Sequence, residues 1–309
     1  MNRLLAVATM ALALVACDQS AQTESAATTD FVAPPVTDAE VNSIRVRHPI
    51  EVTLHRHIAE LASDAYEGRA PGTAGEQKTV DYLVQEFSAL GLEPGNKGSW
   101  YQEVPITSVT SSSDASMSLR GSEFSADFAY GSQMMVSTQR QVEAVSVSGS
   151  QLVFVGYGIN APERGWNDYA GVDMSGKTAV VLINDPGFAT QDPALFNGNT
   201  MTYYGRWDYK YAEAARQGAA AVIIVHETAA AAYGWEVVEN SWSGAKTTLT
   251  AGNANADKLA VEAWMQLTEA EAVFTGAGLD FQALKAAATQ PGFTAVALND
   301  IKLSIDLSN

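Results

Sequence analysis

The 309-residue chain predicts an α/β fold with a mixed β-sheet and flanking helices. Three observations carry that class. First, Thr178 to Ile183 and Ala220 to Val225 are apolar, largely β-branched runs, and a helical pattern from Tyr209 to Gln217 lies between them. Strand, helix, strand in that order is the unit of an α/β sheet. Second, Val80, Leu83, Val84, Phe87 and Leu90 share one face of a helix that Thr73 and Glu76 can open as a capping box. Third, Ile301, Leu303, Ile305 and Leu307 alternate with Asp300, Lys302, Ser304 and Asp306. That period of two describes a strand with one apolar face, which needs a sheet beside it and a core beneath it.

Length alone suggests about two domains. With 18 Lys+Arg against 35 Asp+Glu the formal charge is −17. A chain this acidic is a poor binder of phosphate backbones, so nucleic acid is not an expected partner. Hydrophobic residues make up 47%, enough to form a sizeable core. The single cysteine, Cys17, excludes an internal disulfide framework and a cysteine-based zinc site. His48, His55, His57 and His226 are the four histidines.

From the N-terminus, Arg3 gives a short positive start and Leu4 to Ala16 is an apolar run of 13 residues. This suits a secretory signal and is too short for an ordinary spanning helix. Leu14-Val15-Ala16-Cys17 resembles a bacterial lipobox, in which Cys17 is lipidated and becomes the mature N-terminus. Stable anchoring then requires more than one acyl chain. The following stretch to Ile50 is rich in Ala, Ser, Thr and Gln, with Pro34, Pro35 and Pro49, and reads as a flexible tether. Leu54, Ile58 and Leu61 recur at helical spacing after Thr53, a candidate N-cap. Gly91 is placed to close the helix that Thr73 opens. Tyr101 to Val109 reads as a strand, and 111–150 as several short ones. Gln151 to Val155 is a further strand. Helices are expected over Ala256 to Gln266 and over Asp280 to Ala288, with Asp280 as cap.

Several motifs fail on context. Gly171 to Thr178 matches G-x-x-x-x-G-K-[ST], but a strand-like run follows where a phosphate loop needs a helix. Gly156-Tyr157-Gly158-Ile159-Asn160-Ala161 matches G-x-G-x-x-A, but Pro162 and Gly165 make a turn the better reading. His226-Glu227 begins H-E-x-x-H, yet residue 230 is Ala. His55 and His57 are two apart on a helix and face different ways. The stretch Tyr203 to Tyr211 is dense in aromatic and basic residues. It suits either recognition or the packing of a helix start on a sheet.

Three stretches resemble the opening and the inserted protease-associated (PA) domain of secreted bacterial family-28 zinc metallopeptidases, which are aminopeptidases. The first is Leu61 to Thr73 with the helix after it and Gly91-Leu92-Glu93-Pro94. The second is Val153 to Ile183, with Gly156-Tyr157-Gly158-Ile159, Asp168-Tyr169 and Gly176-Lys177. The third runs from Tyr204-Gly205-Arg206-Trp207 through Ala214 to Ala219, Val225 to Thr228 and Asn240 to Gly244. Residues 1–16 are read as the signal peptide and 17–50 as the tether. The resemblance implies an N-terminal arm of the peptidase domain over 51–110, a PA-like insert over 111–292, and the start of the peptidase domain over 293–309. Helix 74–90 and strands 101–109 and 300–307 are then expected to sit apart from the insert, as edge elements of an incomplete zinc-peptidase α/β domain.

The same resemblance implies two zinc ions for the full-length family, with ligands that begin at an H-x-D motif beyond the insert. No H-x-D occurs in this chain, so no catalytic or metal residue is assigned and the chain alone is expected to be inactive. Tyr204, Arg206 and Trp207 are the candidates for facing a peptide substrate at the entrance to the catalytic domain. The implied setting is the bacterial cell envelope, lipid-anchored and facing the periplasm or exterior. The alternative is a non-enzymatic, lipid-anchored PA-like module that binds a peptide or protein. The two differ in one expectation. A front part leaves the Val80/Leu83/Phe87 face and the terminal strand without partners, whereas a stand-alone module covers both.

Overall fold

The computed structural model describes residues 49–309, so the signal, Cys17 and nearly all of the tether lie outside the described residues. The described chain forms two compact units that part between Gln85 and Glu86.

The first unit is helical. Helix α1 spans Pro49–Leu61, a short 3-10 segment covers Asp64–Arg69, and α2 spans Ala74–Ala89. Thr53 lies inside α1 and its hydroxyl donates to the Pro49 carbonyl, so the cap expected there is one turn too late. The capping box of α2 forms: the Thr73 hydroxyl accepts from Glu76 N at 3.4 Å, and the Glu76 carboxylate reaches back to Gly72 N at 2.5 Å. Gly75 is buried because the Tyr66 carbonyl passes close by; a Cβ there would lie 2.1 Å from that oxygen. The Tyr66 hydroxyl donates to Glu60 and the Tyr82 hydroxyl lies 2.6 Å from His57 Nδ1. Apolar burial is slight. Ile50, Val52, Leu54 and Ile58 of α1 are all more than half exposed, and Leu83 and Phe87 of α2 are 38% and 42% exposed.

The second unit carries twelve strands. They are β1 (Ile106–Thr110), β2 (Ser116–Arg120), β3 (Ser125–Ala129), β4 (Met134–Ser137), β5 (Ala144–Phe154), β6 (Asn160–Ala161), β7 (Trp166–Asn167) and β8 (Thr178–Leu182). Helix α3 (Pro186–Thr190) and α4 (Trp207–Arg216) lead to β9 (Ala221–His226). Helix α5 (Thr228–Ala231), α6 (Trp235–Trp242), β10 (Ala245–Leu249), β11 (Val261–Gln266), α7 (Leu267–Gly276), α8 (Phe281–Ala287) and β12 (Val296–Ser308) complete it.

Eight strands make one mixed sheet in the order β3-β2-β12-β5-β8-β9-β11-β4. Strands β5, β8, β9 and β11 run parallel, and β2, β3, β12 and β4 pair antiparallel. The parallel strands are buried on both faces. Leu152, Phe154, Val180, Leu182, Ile223 and Val225 face one core with Phe274 of α7 and Phe281 of α8. Val153, Ala179, Val181, Val222 and Ile224 face the other with Tyr211 of α4 and Val238 and Trp242 of α6. The continuous apolar runs in β8 and β9 follow from that two-sided burial. Separately, β1 pairs with β10 and β6 with β7.

The structure corrects three expectations. Residues 261–266 are strand β11, not the end of a helix. Their Ala, Glu and Met content favours helix, but Val261 to Gln266 register against β9, and Glu262 to Met265 against β4. Tertiary pairing overrides the local propensity, and α7 begins only at Leu267. The second correction concerns β12. Its alternation is as predicted, with Ile301, Leu303, Ile305 and Leu307 buried and Asp300, Lys302 and Asp306 exposed. It is no edge strand and does not sit apart: it runs between β2 and β5, inside the same sheet. Its apolar face completes the core formed with Met117, Leu119, Val145 and Val147. The third concerns the strand expected over 101–109. It covers only Ile106–Thr110 and pairs with β10, within the stretch expected as the insert.

Candidate functional site

The aromatic stretch is a loop that turns into a helix. Tyr203–Gly205 make one 3-10 turn and Trp207 opens α4. The three substrate-facing candidates part company there. Tyr204 turns to one side, where its hydroxyl donates to Glu163 at 2.6 Å and its ring packs edge-on against Phe196 and Tyr209. Arg206 is exposed and paired with Asp208 at 3.1 Å. Trp207 turns to the opposite core, its ring 5.8 Å from Trp242 and 6.2 Å from Tyr211.

One turn into α4, Lys210 points inward and is fully buried. Its ammonium donates to the Tyr157 carbonyl at 2.5 Å and the Asn184 carbonyl at 2.8 Å. Those carbonyls lie in the loops that leave the carboxyl ends of β5 and β8. Two buried carboxylates attract the same ammonium. Asp168 accepts from Ile159 N and Trp166 Nε1. Asp185 caps α3 through Gly187 N and accepts from Thr202 N and its hydroxyl. Burial pushes the Asp168 carboxyl up and the Lys210 ammonium down, and their mutual attraction opposes both shifts. Each of the three charges has at least two hydrogen-bond partners. The cluster therefore fixes loops and offers no open group for chemistry.

The candidate site lies on the α4–α6 face of the sheet. A cavity of about 560 Å³ is lined by Trp207, Tyr233, Val238, Trp242, Lys246 and Glu262, among others. Glu262 sits on β11, where alternation sends it to this face, and its side chain is only slightly exposed. Gln139 Nε2 donates to it at 2.7 Å. Burial drives the Glu262 carboxyl up to about 7, against the smaller pull of Gln139 and Lys258. Lys246 extends over the Trp242 ring at 5.9 Å and donates to the Ser241 carbonyl. Burial lowers its pKa.

The unfolded Glu262 carboxyl ionises near its ordinary 4.5 and the folded one near 7, so the folded state holds the proton more tightly. Stability from this group is complete below about 4.5 and lost as pH rises through about 7. Urea melts of Glu262→Gln should be flatter across that window than those of the wild type. The variant should be the more stable protein at pH 8, by about 3 kcal/mol at most. Parallel curves would show that the carboxyl titrates normally.

A zinc site does not fit these residues. Among the described residues no group of three or more His, Cys, Asp or Glu side chains could hold a metal ion. His226, at the end of β9, is buried, with Nε2 3.1 Å from the Tyr233 carbonyl and its ring among Tyr233, Trp235 and Trp264. His57 is engaged with Tyr82. The two glycine motifs are turns: Gly171–Gly176 leads into β8, with Ser175 N on the Asp173 carboxylate, and Gly156–Gly158 ends β5. At Gly158, with φ +61°, a Cβ would meet Val181 Cγ1 at 2.8 Å.

Sequence reasoning passed over Asp185 and Glu262. A signal existed for each. Asn184-Asp185-Pro186-Gly187 is a turn and cap pattern directly after a strand, and Glu262 is the lone charge within Leu259 to Met265.

A scan against protein-family models and a search of curated proteins both find no match. Two solved structures are similar over 81% of this chain. One is an aminopeptidase from Aneurinibacillus sp. strain AM-1, at 20% identity and a TM-score of 0.31, of which 46% is covered. The other is a zinc aminopeptidase from Bacillus subtilis, at 16% identity and a TM-score of 0.26, of which 43% is covered. The chain thus spans just under half the length of either enzyme.

Proposed function

We propose that this chain is the N-terminal and PA-domain part of a family-28-type zinc aminopeptidase lipoprotein. In this reading Cys17 carries the lipid and holds the protein at the bacterial cell envelope. The mixed-sheet domain shapes the approach of a peptide substrate, and zinc is held by residues outside residues 1–309. The sequence resemblance supplies the family. The observation that carries the reading is a contrast in burial. The parallel strands are covered on both faces, while α1 and α2 display Ile50, Val52, Leu54, Ile58, Leu83 and Phe87 to solvent. Helices of 13 and 16 residues that bury so little are marginal unless another layer covers them.

A second reading has its own support. Strand β12 is seated inside the sheet, with its apolar face buried in the core. That suits a lipid-anchored PA-like binding module.

Two measurements on the full chain separate these readings. A dye that reports exposed apolar surface should brighten with the wild type and much less with Leu83→Asp/Phe87→Asp, while the melting temperature stays unchanged. No brightening with the wild type would favour the module. Under either reading, added zinc should release no amino acid from peptide anilides. Zinc-dependent release would overturn the assignment of the metal to residues outside the chain.

A further inference from the structure

We propose that the cavity lined by Trp207, Tyr233, Trp242 and Glu262 binds a primary ammonium group on an apolar stem, with Glu262 as its counter-ion. Glu262 is 3% exposed, and among the described residues Gln139 is its side-chain hydrogen-bond partner. No ion pair within 4 Å reaches it among the described residues. One amide leaves most of a carboxylate's acceptor capacity unused, and a buried charge without a cation is costly. Lys258 attracts Glu262 without an ion pair within 4 Å, and a cation entering the cavity would supply the direct contact.

The walls suit such a guest. Trp207, Tyr233 and Trp242 line the cavity, and aromatic rings attract ammonium groups. The chain shows this with its own side chain: Lys246 places its ammonium over the Trp242 ring and on the Ser241 carbonyl. That hydrogen bond holds Lys246 to α6 and not to Glu262. The volume, about 560 Å³, admits an amino-acid residue or the end of a short peptide. The formal charge of −17 favours the approach of cations over anions.

Two sources share this chemistry, the α-ammonium of a peptide and the ε-ammonium of a lysine side chain. That the guest is part of a peptide rests on the proposed function; the cavity's preference for an ammonium does not. Calorimetric titration of the full chain, with tryptophan fluorescence as a second readout, tests the preference without any hydrolysis. The probes are leucinamide, Nα-acetyl-lysinamide and neutral 4-methylpentanamide. Leucinamide or Nα-acetyl-lysinamide should bind, with the better one naming the source. The neutral amide should bind at least about tenfold more weakly. Glu262→Gln should lose about tenfold or more in affinity for the amine with an unchanged circular dichroism spectrum. Trp207→Ala, at a partly exposed position, should also weaken binding and stands in if the first variant fails to fold. Equal binding of the neutral amide, undiminished binding by both variants, or no binding of either amine at tens of millimolar would overturn the proposal. A failure here would leave the exposed face of α2, and the reading built on it, untouched.

Discussion

Lys210→Met should destabilise the 86–309 unit by about 3–5 kcal/mol, the cost of removing one partner from a buried charge cluster. The substitution keeps an unbranched apolar side chain about as long as the lysine stem. It removes the two hydrogen bonds to the Tyr157 and Asn184 carbonyls and the positive charge that Asp168 and Asp185 share. Two carboxylates then stand buried with hydrogen bonds but no cation. In a domain of this size each kcal/mol shifts the midpoint by about 2–4 °C, so a fall of roughly 10 °C is expected in a thermal melt. Asp168→Asn in the Lys210→Met background should restore part of the loss, because it removes an unpaired charge. A single variant that melts within a degree of the wild type would show that the ammonium is not what ties these loops to α4.

The second large effect is expected in β12. Leu303 is fully buried and pairs with Leu119 on one side and Ser150 on the other. Leu303→Ala should cost about 2–5 kcal/mol, the range for a core leucine whose cavity cannot collapse. Leu83→Ala, on the exposed face of α2, should fall within about 0.5 kcal/mol of the wild type. Removing 296–309 should cut the paired β2 and β3 off from the rest of the sheet and prevent folding. Chemical denaturation of the two point variants measures the contrast directly. A truncated chain that still showed a cooperative transition would mean that β5 closes the sheet without β12.

The elements legible in the sequence were those whose local pattern and tertiary setting agree. Strands β8 and β9 read as buried because their runs are apolar throughout, and they are covered on both faces. The start of α2 was legible because a capping box is a local event. Strand β11 was not, because Leu259 to Met265 is apolar apart from Glu262 and no period distinguishes helix from strand there. Its identity is set by β9 and β4, which lie far away in sequence. For β12 the period revealed the strand and its buried face but not its neighbours, since alternation says nothing about pairing. The candidate site was legible only in part. Trp207 was visible as an aromatic near a basic residue, while Glu262 gains its character from burial, which no composition shows.

The position of β12 also sets an order of events during synthesis. Ser112 N bonds to the Ser308 carbonyl at 2.8 Å, the Ser111 hydroxyl to Asn309 at 3.0 Å, and Asn309 N to the Glu143 carbonyl at 2.8 Å. The β2–β3 hairpin, which joins the sheet through β12, has to wait for about 170 more residues. Contacts of such separation form slowly, because loop closure precedes any gain from pairing. Until β12 has been made, the front of this domain is a chain without a finished sheet.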